Sequence, residues 1–241
     1  MSGRTSQSLF HALFMHKVPD SMSTDDFERK LEGLIDELVT LPVVQQNLVK
    51  LNMILQNDKA DEGRAAFGFP PREHAVYITA QSKVLASLEV RKVFDKAKDF
   101  ELHSFTFGSS SSLSIYIDSP MPKNGVHLFC VYNLPFELSV TGEHNRSWDS
   151  FIDNFVRLPV VQDNFSKFEI WHYNDSLDDS VRDFGYTKGR TILCHDVYEL
   201  MTDPVAHELV LNSGDGGKQF DLKTHGYLFS ARVVTKLDKG L

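Results

Sequence analysis

LPVVQQN, Leu41 to Asn47, is written again as LPVVQDN, Leu158 to Asn164, 117 positions later (158 − 41). At that offset LPVVQQNLVKLNMILQNDKADEGRAAFGF (41–69) lies over LPVVQDNFSKFEIWHYNDSLDDSVRDFGY (158–186) without a gap, with 12 identities in 29 columns. Similarity over such a length points to two copies of one small domain rather than to a solenoid of short units. The match extends in both directions with small slips. His11 falls on His127 and Val18-Pro19 on Leu134-Pro135 at an offset of 116, and Asp118 falls on Asp238 at 120. Slips of this kind belong in loops, where insertions are tolerated. The expected organisation is a repeat over 8–119, a linker at 120–125 (PMPKNG) and a second repeat over 126–241.

Each copy carries the same order of elements. In the first, an apolar run at 10–16 reads as a strand. Ser23 and Thr24 then offer a helix N-cap with Asp25 and Asp26 behind it. Phe27, Leu31, Leu34, Ile35 and Leu38 form a helical stripe, which Pro42 should interrupt. Residues 48–55 alternate as a half-buried strand. The spacing predicts loop at 58–72, strand at 75–80, helix at 84–97, and apolar alternation at 102–107 and 113–117. The serines between those last two runs, 109–112, read as a bulge in an edge strand. The second copy repeats the plan, with strands near 126–132, 165–173, 191–195 and 225–234 and helices near 143–156 and 198–211. The order βαββαβ is the split βαβ of the ferredoxin-like fold, an α+β class.

A four-stranded sheet with helices on one face leaves its other face open. In the second strand of each copy that face carries Lys50, Asn52, Ile54, Gln56 and Lys167, Glu169, Trp171, Tyr173. Two such faces pressed together would form an intramolecular pseudo-dimeric barrel around a cavity of mixed lining.

Composition narrows the function. The chain has 241 residues, 41% hydrophobic and 24% charged, which suits a globular protein with real cores. A net charge of −8 with scattered Lys and Arg supplies no basic field for nucleic acid. No apolar run reaches the length of a membrane span, and the N-terminal apolar segment reads as a strand rather than a signal peptide. Cys130 and Cys194, each inside an apolar strand pattern, read as reduced, buried thiols, and the expected location is the cytoplasm.

FERKLEGLIDELVTLPVVQQN (27–47) and SWDSFIDNFVRLPVVQDN (147–164) resemble the EthD-like branch of the dimeric α+β barrel superfamily. Ile35-Asp36 and Ile152-Asp153, with Pro42 and Pro159, keep part of that branch's pattern, while its histidine is missing from both copies. HALFM (11–15) and HLFCV (127–131) resemble the first strand of plant polyketide cyclases of the same superfamily, and EHAV (73–76) resembles their third. DPVAH (203–207) is similar to their second-helix motif, with Asp203 in place of its first histidine. The resemblance implies a barrel formed by sheet-to-sheet pairing, with strand histidines in its cavity.

The candidate site follows. His11 and His127 hold equivalent positions and read either as acid–base groups in a cavity or as strand-start residues bonded to backbone. His74 is a third candidate base, and its counterpart Arg190 is suited to a carboxylate or enolate oxygen. His207 is either a helix-borne site residue or a surface histidine. His225 and Tyr227 share a face of the last strand, where Tyr227 either donates to an oxyanion or belongs to the barrel wall. Trp171 and Tyr173 on the open face are candidate substrate-binding residues. No histidine pair has metal-ligand spacing and no histidine stands out as a haem ligand, so neither metal nor cofactor is expected. The resemblance to the polyketide cyclases implies the reaction class: a cofactor-independent cyclase, isomerase or decarboxylase that moves a proton on an aromatic or polyketide-like substrate. The alternative is a non-catalytic binding or scaffold barrel, which the missing EthD histidine favours. The expected partner is a hydrophobic or aromatic small molecule, with no nucleic acid and no membrane, and a homodimer of the whole chain is possible.

Overall fold

The computed structural model describes residues 10–66, 74–82, 92–93, 95–96, 106–120, 126–133, 150–174, 187–188, 191–197 and 226–240. The repeated heptapeptide builds the same short helix twice: α2 is Pro42–Asn47 and α4 is Pro159–Asn164. Leu41 and Leu158 are extended N-caps and the prolines take the first helical turn, where a missing N–H costs nothing. Val44 and Val161 are buried. The Gln45 amide donates to the Val39 carbonyl, and the Gln162 amide to that of Val156. Asn47 Nδ2 donates to the Val43 carbonyl at 2.8 Å and Asn164 Nδ2 to the Val160 carbonyl at 2.7 Å. The divergent pair, Gln46 and Asp163, is exposed in both copies. Every kept residue of LPVVQ-x-N therefore has a cap, a bond or a buried contact, apart from the second valine's predecessor, which packs on the core from its edge.

The long helix α1 spans Thr24–Thr40. Ser23 caps it, its Oγ accepting from the Asp26 N–H at 3.2 Å, and Phe27, Leu31, Leu34, Ile35 and Leu38 are its buried stripe. It ends where Pro42 forces the preceding residue out of the helical region. In the second copy, residues 150–156 are helical and precede α4. A further short helix, α3 (Asp61–Ala66), stands where the sequence predicts loop. Asp61 and Glu62 in its first turn and Arg64 in its last suit the helix dipole. Ala60, just before it, is buried, and its N–H donates to Ser230 Oγ at 2.8 Å, so a long-range contact orders this turn. The helix predicted at 84–97 lies almost wholly outside the described residues, as does the one at 198–211.

The strands are β1 (Phe10–Lys17), β2 (Leu48–Asn57), β3 (Ala75–Ser82), β4 (Thr106–Asp118), β5 (Val126–Asn133), β6 (Lys167–Asn174), β7 (Thr187–Lys188), β8 (Thr191–Val197) and β9 (Gly226–Asp238). They follow the order β1-β3-β2-β9-β5-β8-β6-β4, and β4 pairs with β1, so the sheet closes on itself. All pairings in this ring are antiparallel, and β7 adds two residues parallel to β4.

The two 13-residue strands make the closure. β4 pairs with β1 through residues 106–111 and with β6 through 110–118. β9 pairs with β5 through 226–231 and with β2 through 230–238. Each strand has one register break at corresponding places, 115/117 in β4 and 235/237 in β9. The serines at 109–112 are thus not an edge bulge. They sit in the middle of β4, where it passes from one neighbour to the other, and the irregularity falls later.

Helices cover the outside over two apolar clusters. One gathers α1, α2 and the outer faces of β2 and β3 around Phe27, Leu31, Met53 and Ile78. The other gathers Ile152, Val161, Phe165, Phe168 and Ile170. A third, with Leu13, Ile54, Tyr77, Phe129, Trp171 and Phe229, draws on six strands and lies on their inner faces. Among the described residues no helix is long and apolar enough to cross a membrane. The register also sets Cys130 directly opposite Cys194 on β5 and β8, a juxtaposition their separate strand patterns do not announce.

Candidate functional site

Alternate residues of a strand share a face, so the interior cluster identifies what else points inward. Two positions from Leu13 is His11; two from Ile54 is Gln56; two from Phe129 is His127; two from Trp171 is Glu169. Phe229 stacks on Tyr77 at 4.9 Å between centroids and on Phe129 at 5.5 Å, and all three are 3% exposed or less. Among the described residues these three rings pack against one another inside the ring of strands.

Two rows of residues cross the ring at equivalent heights. Gln56, Ala231 and His127 lie side by side on β2, β9 and β5. Tyr173, Ser111 and His11 lie side by side on β6, β4 and β1. Each histidine thus neighbours the midpoint of a long strand.

The His127 row opens on space. A cavity of about 370 Å³ is lined by His127, Gln56, Ala231, Arg232 and Glu28 among others. A neighbouring one of about 270 Å³ shares Glu28, Gln56 and Asn57 with it and adds His74 and Asp25. His74 is exposed, and its carbonyl accepts from the Val18 N–H at 2.9 Å, which ties the start of β3 to the end of β1. Among the described residues Gln56 Oε1 is buried without a hydrogen-bond partner. Burial pushes the Glu28 carboxyl above its ordinary value; Arg232 opposes this, and Asp25 and Glu32 add to it.

The His11 row is built differently. The His11 ring meets Trp171 edge-on at 5.4 Å and 85°. Trp171 Nε1 donates to Glu169 Oε1 at 3.2 Å, and Lys167 Nζ lies 3.0 Å from Glu169 Oε2. Glu169 is only 6% exposed. Burial lowers the His11 pKa, and the Glu169 charge partly offsets it. The imidazole is thus neutral at pH 7 and able to accept a proton.

Of the residues singled out in the sequence, His74 and His127 meet around adjoining cavities, and His11 meets Trp171. The backbone of Tyr227 lies opposite Val131, and that of Tyr173 opposite Ser111. Arg190 and His207 lie outside the described residues. Gln56 was legible as an open-face residue; Glu28 and Arg232 were not anticipated as lining residues, because their convergence with it depends on β9 crossing between β2 and β5. Glu169 was legible as an open-face residue but without a role. The signal was present: at the repeat offset it stands over Asn52.

No family model matches the chain, and no curated protein matches it. Solved structures do. A candidate monooxygenase from Fusobacterium nucleatum subsp. nucleatum matches 97% of this chain and 96% of its own, at 12% identity and a TM-score of 0.51. Another from Lactobacillus acidophilus gives 97% and 98% coverage, 6% identity and 0.46. A variant of chlorite dismutase from Candidatus Nitrospira defluvii gives 95% and 92%, 10% identity and 0.48. Of the three only the first exceeds a TM-score of 0.5, and at that identity it bears on fold alone. It gives no support to the EthD-like or cyclase-like branch in particular.

Proposed function

We propose that the chain is a small-molecule enzyme built from two fused ferredoxin-like repeats, 8–119 and 126–241, and that it works by proton transfer without a cofactor. The repeats would form an intramolecular pseudo-dimer. The equivalence of β4 with β9, of α2 with α4 and of the two register breaks supports that organisation. The observation that carries the functional reading is the matched pair of lumen histidines, one of which opens on a cavity of about 370 Å³ beside an unsatisfied Gln56 oxygen. A histidine so placed takes a proton from a bound substrate and returns it to the product, a step worth on the order of 10²–10⁴ in rate. The substrate class is aromatic or polyketide-like, in keeping with the aromatic lumen, and the reaction a cyclisation, isomerisation or decarboxylation. Arg190 and Tyr227 are proposed to hold the developing oxyanion.

A second reading, a binding barrel without chemistry, draws on the stack of Tyr77, Phe129 and Phe229 inside the ring of strands. Native mass spectrometry of the purified chain tests both. A co-purified small molecule that the protein converts supports the enzyme. A ligand bound and released unchanged, with the His11 and His127 variants binding equally well, supports the barrel without chemistry.

A further inference from the structure

Acids of α1 and bases of β9 stand across from each other at two levels, and they pair at only one. Lys236 Nζ lies 2.6 Å from Glu32 Oε1 and 2.7 Å from Asp36 Oδ1. Four positions before Glu32 and Lys236 stand Glu28 and Arg232. The Arg232 charge reaches Glu28, yet among the described residues no ion pair or hydrogen bond joins their side chains. Both line the cavity of about 370 Å³ instead. Gln56, whose buried Oε1 has no hydrogen-bond partner among the described residues, belongs to the same wall. A guanidinium, a carboxyl and an amide oxygen thus converge on one space without being satisfied by one another.

We propose that this cavity binds a small hydroxy acid, its carboxylate on Arg232 and its hydroxyl donating to Gln56 Oε1. Binding stands on these residues; the chemistry that follows rests on the functional reading above, whose substrate class this narrows. Charge selects the anion. Lys59 and Arg232 bring two positive charges to the cavity wall against the one carboxyl of Glu28, in a chain of net charge −8. A guanidinium holds a carboxylate through two parallel hydrogen bonds. The adjoining cavity of about 270 Å³ has the opposite character, with Asp25, Glu28 and Asp58 on its wall, and repels an anion. Glu28 lines both cavities, so a carboxylate is confined to the Arg232 side. Gln56 selects the hydroxyl. A buried acceptor without a partner calls for a donor, which a carboxylate cannot supply and a hydroxyl can. The hydroxyl then lies on the wall that His127 shares. Size limits the rest of the ligand: about 370 Å³ is near the lower end for ligand cavities, roughly 300–1,000 Å³, and leaves no room for a coenzyme thioester.

The test is binding and needs no turnover. The ortho, meta and para hydroxybenzoates and lactate are titrated against the purified chain by ligand-observed NMR, which follows weak binding. Benzoate and propionate lack the hydroxyl; the hydroxybenzyl alcohols and propanediol lack the carboxylate. At least one hydroxy acid should bind saturably. Its counterpart without the carboxylate should bind roughly tenfold more weakly, and its counterpart without the hydroxyl roughly three- to tenfold more weakly. Arg232→Gln, at an exposed position where the fold is spared, should weaken the hydroxy acid by about tenfold and leave the alcohol unchanged. Gln56→Leu should erase the preference for the hydroxy acid over the plain acid. Equal binding of the hydroxy acid by the parent and Arg232→Gln overturns the proposal, as does a preference that survives Gln56→Leu, or no saturable binding by any of these acids. Arg232→Gln decides alone should the leucine variant not fold. Lactate bound in place of the hydroxybenzoates, with the same dependence on Arg232, supports the site and counts against the aromatic substrate. A hydroxybenzoate bound but left unconverted supports the site and counts against the enzyme.

Discussion

The imidazole of His11 meets the indole of Trp171 edge-on, 5.4 Å between centroids, although the two residues come from opposite halves of the chain. The contact places a titratable ring in a largely apolar interior, and its protonation is tied to folding. His11 has its pKa lowered by burial, with Glu169 opposing. In the unfolded chain it takes up a proton near pH 6.5; in the folded chain it does so only at lower pH. The unfolded state therefore binds more protons in that window, and stability rises with pH across it. The contribution is complete above the unfolded value and is lost as pH falls through the folded one. Urea midpoints measured from pH 7 down to pH 4 should show a steeper acid limb for the parent than for His11→Gln. Parallel limbs would show that His11 is not desolvated.

Substitution of the lumen histidines should separate chemistry from folding. His11→Ala gives up one aromatic contact, about 1 kcal/mol, which for a chain of this size lowers the melting temperature by roughly 2–4 °C. Conversion of the substrate should drop by on the order of 10²–10⁴ in at least one of His11→Ala and His127→Ala. Calorimetry and steady-state kinetics read the two effects apart. A collapse of stability in either variant would make that histidine a core residue.

Phe229 is the centre of the lumen stack, 1% exposed between Tyr77 and Phe129. Phe229→Ala should cost about 3–5 kcal/mol through lost transfer energy and the void left behind. Denaturant unfolding measures this. If the lumen were open rather than packed, the cost would be close to that of a surface substitution.

Cys130 remains partly exposed as a residue, yet burial of its thiol pushes the pKa up to about 12. The thiolate is the reactive species, so at pH 7 the native thiol should react with an alkylating reagent far more slowly than the unfolded one, whose pKa is about 8.5. Both cysteines are expected to be recovered free by non-reducing mass analysis. The opposed register of Cys130 and Cys194 makes this a sharp test, because their strands are neighbours. A recovered disulfide would show that the cross-strand pair oxidises despite the burial of Cys130.

The sequence by itself determined what is local. LPVVQ-x-N carries its own structure, since the proline stops one helix and starts the next, and the Gln and Asn amides bond carbonyls no more than six residues away. The stripe of α1, its Ser23 cap and the inward alternation of β2 and β6 follow from periodicities of 3.6 and 2. Tertiary structure decided what lies between distant segments. Residues 109–112 look like an interruption in isolation and become the crossover of β4, because β1 and β6 both need a partner there. The turn at Asp61–Ala66 is helical in company with Ser230, 170 residues from Ala60. Glu169 is one polar residue in an alternating strand until ring closure brings β6 across from β1, where its charge reaches His11. Local pattern sets which face a side chain takes; only the pairing of strands far apart in the chain sets what that face meets.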